Sequence, residues 1–280
     1  MYNCLIFEGG GVLGISYIGA IRAIDEFKIL ENIKKFAGSS AGAQAATLLA
    51  LGYTINEFYD IFSNIPLHKF KDGSCGCFRN IYHLFNKYGY YRGNFIYNYF
   101  DYLIEKKLKK NATFLDLFNY NKNHLSITGT CLEKQALEIF DYKNTPNMPI
   151  AQAIRISCSV PFIYKPVFYN NKTYVDGGCI RNLPKNIFDF DNELDECLVF
   201  NLISDFDRKI IKINNIKDYT MSLVKTIYLS ANTVDVLHDK ITTVNIEIKN
   251  IDSFNFYLDE SEKINLINLG YNATLNKLKI

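Results

Sequence analysis

Lys35-Phe36-Ala37-Gly38-Ser39-Ser40-Ala41-Gly42-Ala43-Gln44-Ala45-Ala46 is the stretch on which the reading of this chain turns. Residues 35–37 read as a short buried strand, and the small and apolar residues through Leu51 read as a helix. Between them Gly38, Ser40 and Gly42 form a Gly-x-Ser-x-Gly turn. Small flanking residues let a chain bend sharply enough to expose a serine between a strand and a helix. The dipole of the following helix favours negative charge developing beside it. Ser40 is therefore a candidate nucleophile. Ser39 is its rival, but only Ser40 is spaced correctly from both glycines. The plainer alternative, in which the two glycines merely make a tight turn, stays open on this evidence.

Upstream, Cys4-Leu5-Ile6-Phe7 reads as a buried strand ending in Gly9-Gly10-Gly11-Val12-Leu13-Gly14. Residues 15–27 then carry Ile18, Ile21 and Ile24 at helical spacing. Strand, loop, helix, strand, turn and helix in that order imply a mostly parallel sheet with helices on its faces. Glycines at a strand end let backbone N–H groups approach an oxyanion, so Gly9, Gly10 and Gly11 are candidates for an oxyanion cradle. Gly9-x-Gly11-x-x-Gly14 also fits the dinucleotide fingerprint. That reading needs an acidic residue at the end of the second strand to hold a ribose. The second strand ends here in Gly38-Ser39-Ser40, which suits a nucleophile better.

Downstream, Thr54 and Glu57 form a capping box for a helix to about residue 62. Residues 66–92 carry turn formers and many aromatics and read as an insertion or lid, and the aromatic-rich stretch extends to about 103. There Phe70, Phe78, Tyr82, Phe85, Tyr88, Tyr90, Tyr91, Phe95 and Tyr99 alternate with Lys69, Lys71, Arg79, Lys87 and Arg92. Aromatics interleaved with cations suit a membrane interface; the same rings would equally serve to pack a cap over the core. Helical spacing is expected over 94–109, 151–157 (after Pro149) and 217–237, and again after Asp259 or Ser261 to about 277. Strands are expected over 125–131, 136–141, 197–203 (a continuous apolar run, read as central) and 242–248. Tyr174-Val175 reads as a strand end leading into Asp176-Gly177-Gly178. No repeat or linker divides the chain, so one domain over 1–280 is expected.

Composition excludes several classes. The chain has 280 residues, 48% apolar and 21% charged, with a net charge of +2. It holds enough apolar material for a sizeable core and too little basic excess for a nucleic-acid footprint. It contains neither a run long enough to span a bilayer nor a signal-peptide pattern. Seven cysteines, mostly in apolar surroundings, fit reduced thiols in a cytoplasmic setting. Cys75-Gly76-Cys77 lacks the partners of a zinc site. No metal or organic cofactor is expected.

Taken with the segment from Ala153 to Pro161, with Asp176-Gly177-Gly178 and with Asn182-Leu183-Pro184, the glycine loop and the Ser40 turn resemble the patatin-like phospholipase family. Residues 254–273, read as a Phe-rich strand and then a helix, look like the family's ending. The resemblance implies a three-layer α/β/α fold and lipid acyl hydrolysis by a Ser–Asp dyad. Ser40 is then the nucleophile, Asp176 the base, and Gly9, Gly10 and Gly11 the oxyanion cradle. It also implies a membrane phospholipid or other lipid ester as substrate, peripheral contact with membranes, and room for a protein activator. Leu13 departs from the Arg or Lys that many members carry there, which leaves open a non-catalytic lipid- or partner-binding protein on the same fold. His68, His83, His124 and His238 are read as surface or lid residues. A dyad without histidine requires Asp176 to lie near Ser40 and to be shielded from water.

Overall fold

The computed structural model describes residues 2–73, 86–188, 196–205, 212–231 and 241–278. Its strands are β1 (Cys4–Phe7), β2 (Lys35–Gly38), β3 (Gly89–Tyr91), β4 (His124–Cys131), β5 (Ala136–Phe140), β6 (Phe162–Tyr164), β7 (Val167–Tyr169), β8 (Lys172–Asp176), β9 (Cys197–Ser204) and β10 (Ile241–Ile248). The main sheet has the order β10-β9-β1-β2-β4-β8-β7, with β5 also on β4. The run from β10 to β4 is parallel throughout. β5, β7 and β8 add an antiparallel margin. β3 and β6 form a separate two-stranded ribbon.

Alternation along the inner strands builds both faces. Leu5 and Phe7 of β1 and Leu198 and Phe200 of β9 enter the larger core. Their neighbours Cys4, Ile6, Cys197 and Val199 enter a smaller one, completed by Ile187 and Phe188. This is the period of two expected of strands buried on both faces. The helices are α1 (Tyr17–Glu26), α2 (Ala41–Ala50), α3 (Ile55–Ser63), α4 (Asn94–Lys107), α5 (Phe114–Asn121), α6 (Ile150–Ser157), α7 (Gly178–Arg181), α8 (Ile216–Ala231) and α9 (Glu260–Leu278). A 3-10 turn, Gly11–Ser16, leads into α1. α1 and α9 touch backbone to backbone: a Cβ on Gly19 would stand 1.8 Å from the Ile267 carbonyl, and one on Gly270 1.9 Å from the Ser16 carbonyl.

The expected α/β fold is the observed one, and the sequence boundaries differ in instructive places. The Phe-rich stretch near 254 is not a strand. Asp252 accepts from the backbone N–H groups of Phe254 (side chain, 3.0 Å) and Asn255 (carbonyl, 2.9 Å), which curls the segment into a turn. Helix α5, capped by a Thr113–Asp116 box, has no counterpart in the sequence reading. The cap of α9 is Asp259, whose carboxylate accepts from Glu262 N–H at 2.8 Å, while Ser261 only donates to it. Strand β9 lies one position in from the edge, between β1 and β10. α8 begins at Ile216, one residue before the expected start at 217, and residues 232–237 of the expected helix lie outside the described residues.

The aromatic stretch occupies several settings. Phe78, Tyr82, Phe85 and Arg79 lie outside the described residues, as does the Cys75–Cys77 pair. Phe70 is buried and meets Phe95 edge-on at 5.4 Å; Phe95 stacks on Tyr99 at 5.5 Å. Residues 94–103 belong to α4, whose Ile96, Phe100 and Leu103 are core. Tyr88, by contrast, is exposed. Arg155 of α6 ties the nearby ribbon down: its guanidinium, buried, donates to the carbonyls of Arg92 at 2.6 Å and Lys165 at 2.8 Å, and to Ser159 Oγ.

Candidate active site

Strand β4 acts as a ruler that sets the site. Along one of its edges β2 pairs as far as Gly38 opposite Ile127. β5 takes the opposite edge over Ile127–Cys131. β8 must therefore continue the edge that β2 leaves, and it does so from Asp176 opposite Gly129. The end of β2 and the end of β8 thus meet about two residues, or roughly 7 Å, apart along β4. Ser40 follows the first end and Asp176 closes the second.

Ser40 has φ 49° and ψ −119°, a left-handed conformation that non-glycine residues rarely hold and that clusters at functional sites. The turn around it is too tight for side chains. A Cβ on Gly38 would lie 2.3 Å from the Gly42 carbonyl carbon, and one on Gly42 2.3 Å from the Phe7 carbonyl oxygen. Ser40 N–H donates to Ser157 Oγ at 2.9 Å, which anchors the turn to α6. Ser39 is fully buried and turned away from solvent, whereas Ser40 keeps 8% exposure and lines a cleft. That difference removes Ser39 as the rival.

Asp176 is fully buried. Its N–H donates to the Ser159 carbonyl at 3.0 Å, and its carbonyl accepts from Thr130 Oγ1 at 2.9 Å. Oδ1 accepts from Gly178 N–H at 2.8 Å. Oδ2 is buried and makes no hydrogen bond of regular geometry among the described residues. Burial pushes the carboxyl pKa up to about 7, opposed by the Gly178 N–H and by the hydroxyls of Ser40 and Tyr228 that face it. Both glycines of the loop are required by packing. A Cβ on Gly177 would stand 2.3 Å from Thr128 Oγ1, and one on Gly178 2.4 Å from the Tyr228 ring.

The glycine loop lies where β1 ends, at the point from which the chain has β2 on one side and β9 on the other. Open parallel sheets bind ligands at such a switch point, beyond the carboxyl ends of the strands. Gly9 N–H is already committed to the Asn182 carbonyl at 3.1 Å. The position is steric instead: a Cβ there would lie 3.1 Å from Ser40 Cβ. The N–H groups of Gly10, Gly11 and Ala41 have no acceptor among the described residues. Val12 N–H donates to the Ser253 carbonyl at 3.0 Å, so this N–H of the loop is not open to an anion. Leu13 is buried, leaving no cation at that position.

One supporting residue, Glu8, escaped the sequence reading, and its partner Asn182 was noted there only within the Asn182-Leu183-Pro184 segment. Glu8, 1% exposed, accepts from Asn182 Nδ2 at 2.9 Å and from Leu202 N–H at 2.6 Å. Asn182 Nδ2 also donates to the Gly9 carbonyl at 2.8 Å, so this pair fixes the loop from beneath. An acidic residue directly after a wholly apolar strand was the available signal. His124, expected at the surface, is a core residue at the amino end of β4, beside Asp141 at 3.4 Å and packed on Phe188. It lies level with Lys35, at the far end of β2 from Ser40. His83 and His238 fall outside the described residues.

Ser40 and the glycine loop open into a cleft of about 750 Å³. Its lining mixes apolar side chains, Phe62, Ile65, Phe70, Ile96, Tyr164 and Phe256 among them, with polar ones, Asn182, Asn186, Asn201, Lys185 and Tyr228. Among the described residues no helix is long and apolar enough to cross a membrane.

Comparison with known proteins agrees with this fold. A protein designated R571 from Acanthamoeba polyphaga mimivirus is 32% identical over 283 residues, covering 98% of this chain and 93% of its own length. A probable lipid hydrolase, 463L, from Invertebrate iridescent virus 6 is 29% identical over 193 residues, covering 66% of this chain and 63% of its own. Among solved structures, VipD from Legionella pneumophila superposes with a TM-score of 0.66 at 20% identity, over 99% of this chain and 67% of VipD. ExoU from Pseudomonas aeruginosa, in complex with SpcU, gives 0.57 at 18% identity over 100% of this chain and 52% of its own. At those identities the likeness is one of fold. The Patatin-like phospholipase family model matches residues 5–189, and the chain belongs to that family.

Proposed function

We propose that this protein is a lipid acyl hydrolase of the phospholipase A or lysophospholipase type, with Ser40 as nucleophile and Asp176 as base. The observation that carries the reading is the left-handed Ser40, set beside a buried carboxylate at the mouth of a half-apolar cleft. Family membership and the lipid hydrolase among its relatives support the same chemistry.

Ser40 Oγ attacks the ester carbonyl carbon while its proton passes to Asp176. A carboxyl poised near 7 is a better base than an unperturbed one, and about half of it is ionised at neutral pH. The tetrahedral oxyanion takes hydrogen bonds from Gly10 and Gly11 N–H, with Ala41 N–H at the start of α2 as a third donor. Gly9 contributes room rather than a donor. The ester C–O bond then breaks, and the alcohol leaves with the proton from Asp176. Water attacks the acyl-enzyme, gives its proton to Asp176, and fatty acid departs as Ser40 recovers that proton. The apolar side chains of the lining accommodate the acyl chain. Exposed Tyr257, with Lys71 Nζ 4.1 Å above its ring, follows Phe256 of that lining and offers an amphipathic contact for a lipid surface.

The test is fatty-acid release from mixed phospholipid vesicles by wild type, Ser40→Ala and Asp176→Asn. Release by the wild type alone is the expected result. Equal release by Ser40→Ala would overturn the assignment.

A further inference from the structure

The Asp176 carboxylate is held from one side only. Oδ1 has the Gly178 N–H, and Oδ2 is buried with no regular partner among the described residues. Tyr228 of α8 stands against the same loop, its ring so close to Gly178 that no side chain fits between them. Its hydroxyl is likewise buried with no hydrogen bond of regular geometry among the described residues, facing the Cys179 thiol as well as Asp176, and the residue lines the Ser40 cleft. An unsatisfied donor and an unsatisfied anionic acceptor therefore adjoin one two-glycine loop. Leaving either unpaired is costly, whereas an O–H donor on a carboxylate makes one of the stronger hydrogen bonds.

Resting on the Ser40–Asp176 reading above, we propose that Tyr228 is a positioning residue of this site: its hydroxyl donates to the Asp176 carboxylate and fixes the orientation from which Asp176 takes the Ser40 proton. A carboxylate oxygen accepts more than one hydrogen bond, so Oδ2 serves Tyr228 and Ser40 together. The loop sequence follows from this role, since the ring needs a glycine at 178 to come so near.

The electrostatic surroundings agree. The groups facing Asp176 are the hydroxyls of Ser40 and Tyr228 and the thiols of Cys158 and Cys179. Burial pushes the Cys158 thiol up to about 12 and raises Cys179 as well, so both are neutral near pH 7. Tyr228 faces Asp176 and Cys179, and burial first, then the Asp176 charge, raise its own pKa well above 10. It remains a donor across any practical assay range. Lys225, one turn earlier on α8, is 3.4 Å from Asp252.

The experiment is the pH dependence of Ser40 labelling by a fluorophosphonate probe, which needs no knowledge of the natural lipid. Tyr228→Phe keeps the ring against Gly178 and removes only the donor. Its labelling rate should rise with a midpoint about one pH unit above the wild type, for loss of one hydrogen bond to a charged group. At pH 6 labelling should be about tenfold slower, and above pH 9 within about twofold of the wild type. Replacing Tyr228 by a fluorinated tyrosine, a stronger donor of nearly the same shape, should move the midpoint the other way. Unchanged midpoints in both variants, or an equal loss at every pH, would overturn the proposal. A wild type that the probe does not label at any pH would overturn the Ser40–Asp176 reading and this proposal with it.

Discussion

Replacing Asp176 by Asn should make the protein more stable while abolishing turnover, and the gain should depend on pH in a calculable way. The carboxyl is raised from 3.8 to about 7 in the folded chain, chiefly by burial. The native state therefore binds the proton more tightly than the unfolded chain does. Between those two values, stability contributed at this residue falls as pH rises, and above about 7 the loss is complete. With roughly 1.36 kcal/mol per unit, the ionisable group costs about 1.5 kcal/mol at pH 5 and about 4 kcal/mol at pH 8.5. Asn keeps an acceptor for Gly178 N–H and presents an amide donor where Oδ2 faces Ser40 and Tyr228. It never ionises, so the difference between variant and wild type should widen by nearly 3 kcal/mol from pH 5 to pH 8.5. Urea unfolding of both proteins at the two pH values measures this. With a slope of about 3 kcal/mol/M, the gap between midpoints grows by about 1 M. A gap that stays constant, or a wild type gaining on the variant as pH rises, would refute the idea that burial of an ionised Asp176 is a standing cost of the site.

Three further outcomes follow from the same coordinates. Ser40→Gly should abolish probe labelling and raise unfolding stability by about 1 kcal/mol, because glycine holds the left-handed φ of 49° without strain; a thermal melt reads the gain. Gly38→Ala should fail to give a folded product, since its Cβ would meet backbone of Gly42 and Ala43 at 2.3 to 2.6 Å and no flexible side chain can yield; far-UV circular dichroism and solubility report it. Arg155→Met should lose about 3 kcal/mol or more and speed hydrogen exchange at 89–93 and 162–165, because the carbonyls of Arg92 and Lys165 are left without their buried donor.

The sheet was legible where strands are buried on both faces. Cys4–Phe7 and Cys197–Ser204 are near-continuous apolar runs, and their lengths and flanking loops mark them without help from the rest of the chain. Legibility failed where hydrogen bonding rather than composition decides the local state. Residues near 254 have the composition of a strand, but Asp252 claims their N–H groups first. His124 shows the same limit from the other side. Nothing local distinguishes an exposed imidazole from one enclosed by Phe188, Tyr142 and Asp141, all of which arrive from distant positions.

For the site, the sequence exposes the residues whose demand is steric and hides those whose demand is electrostatic. Gly38, Gly42, Gly177 and Gly178 are visible because each leaves a gap only a glycine can fill, and such gaps fall in short, dense runs. Their spacing around Ser40 and Asp176 points to both side chains. Glu8 and Asn182 act through a few directed hydrogen bonds and Tyr228 through one oriented hydroxyl, and they come from segments up to 220 positions apart (Tyr228 minus Glu8). Even where the position of such a polar residue is conspicuous, as with Glu8 after an apolar strand, its role is not legible locally, because its partner is specified by register rather than by neighbours. The register is set here by β4, which receives β2 and β8 end to end along one edge. Any change that slides β8 by a residue would turn Asp176 to the other face of the sheet while leaving every motif in the sequence intact. The proposed dyad is therefore a property of strand pairing as much as of the two residues named in it.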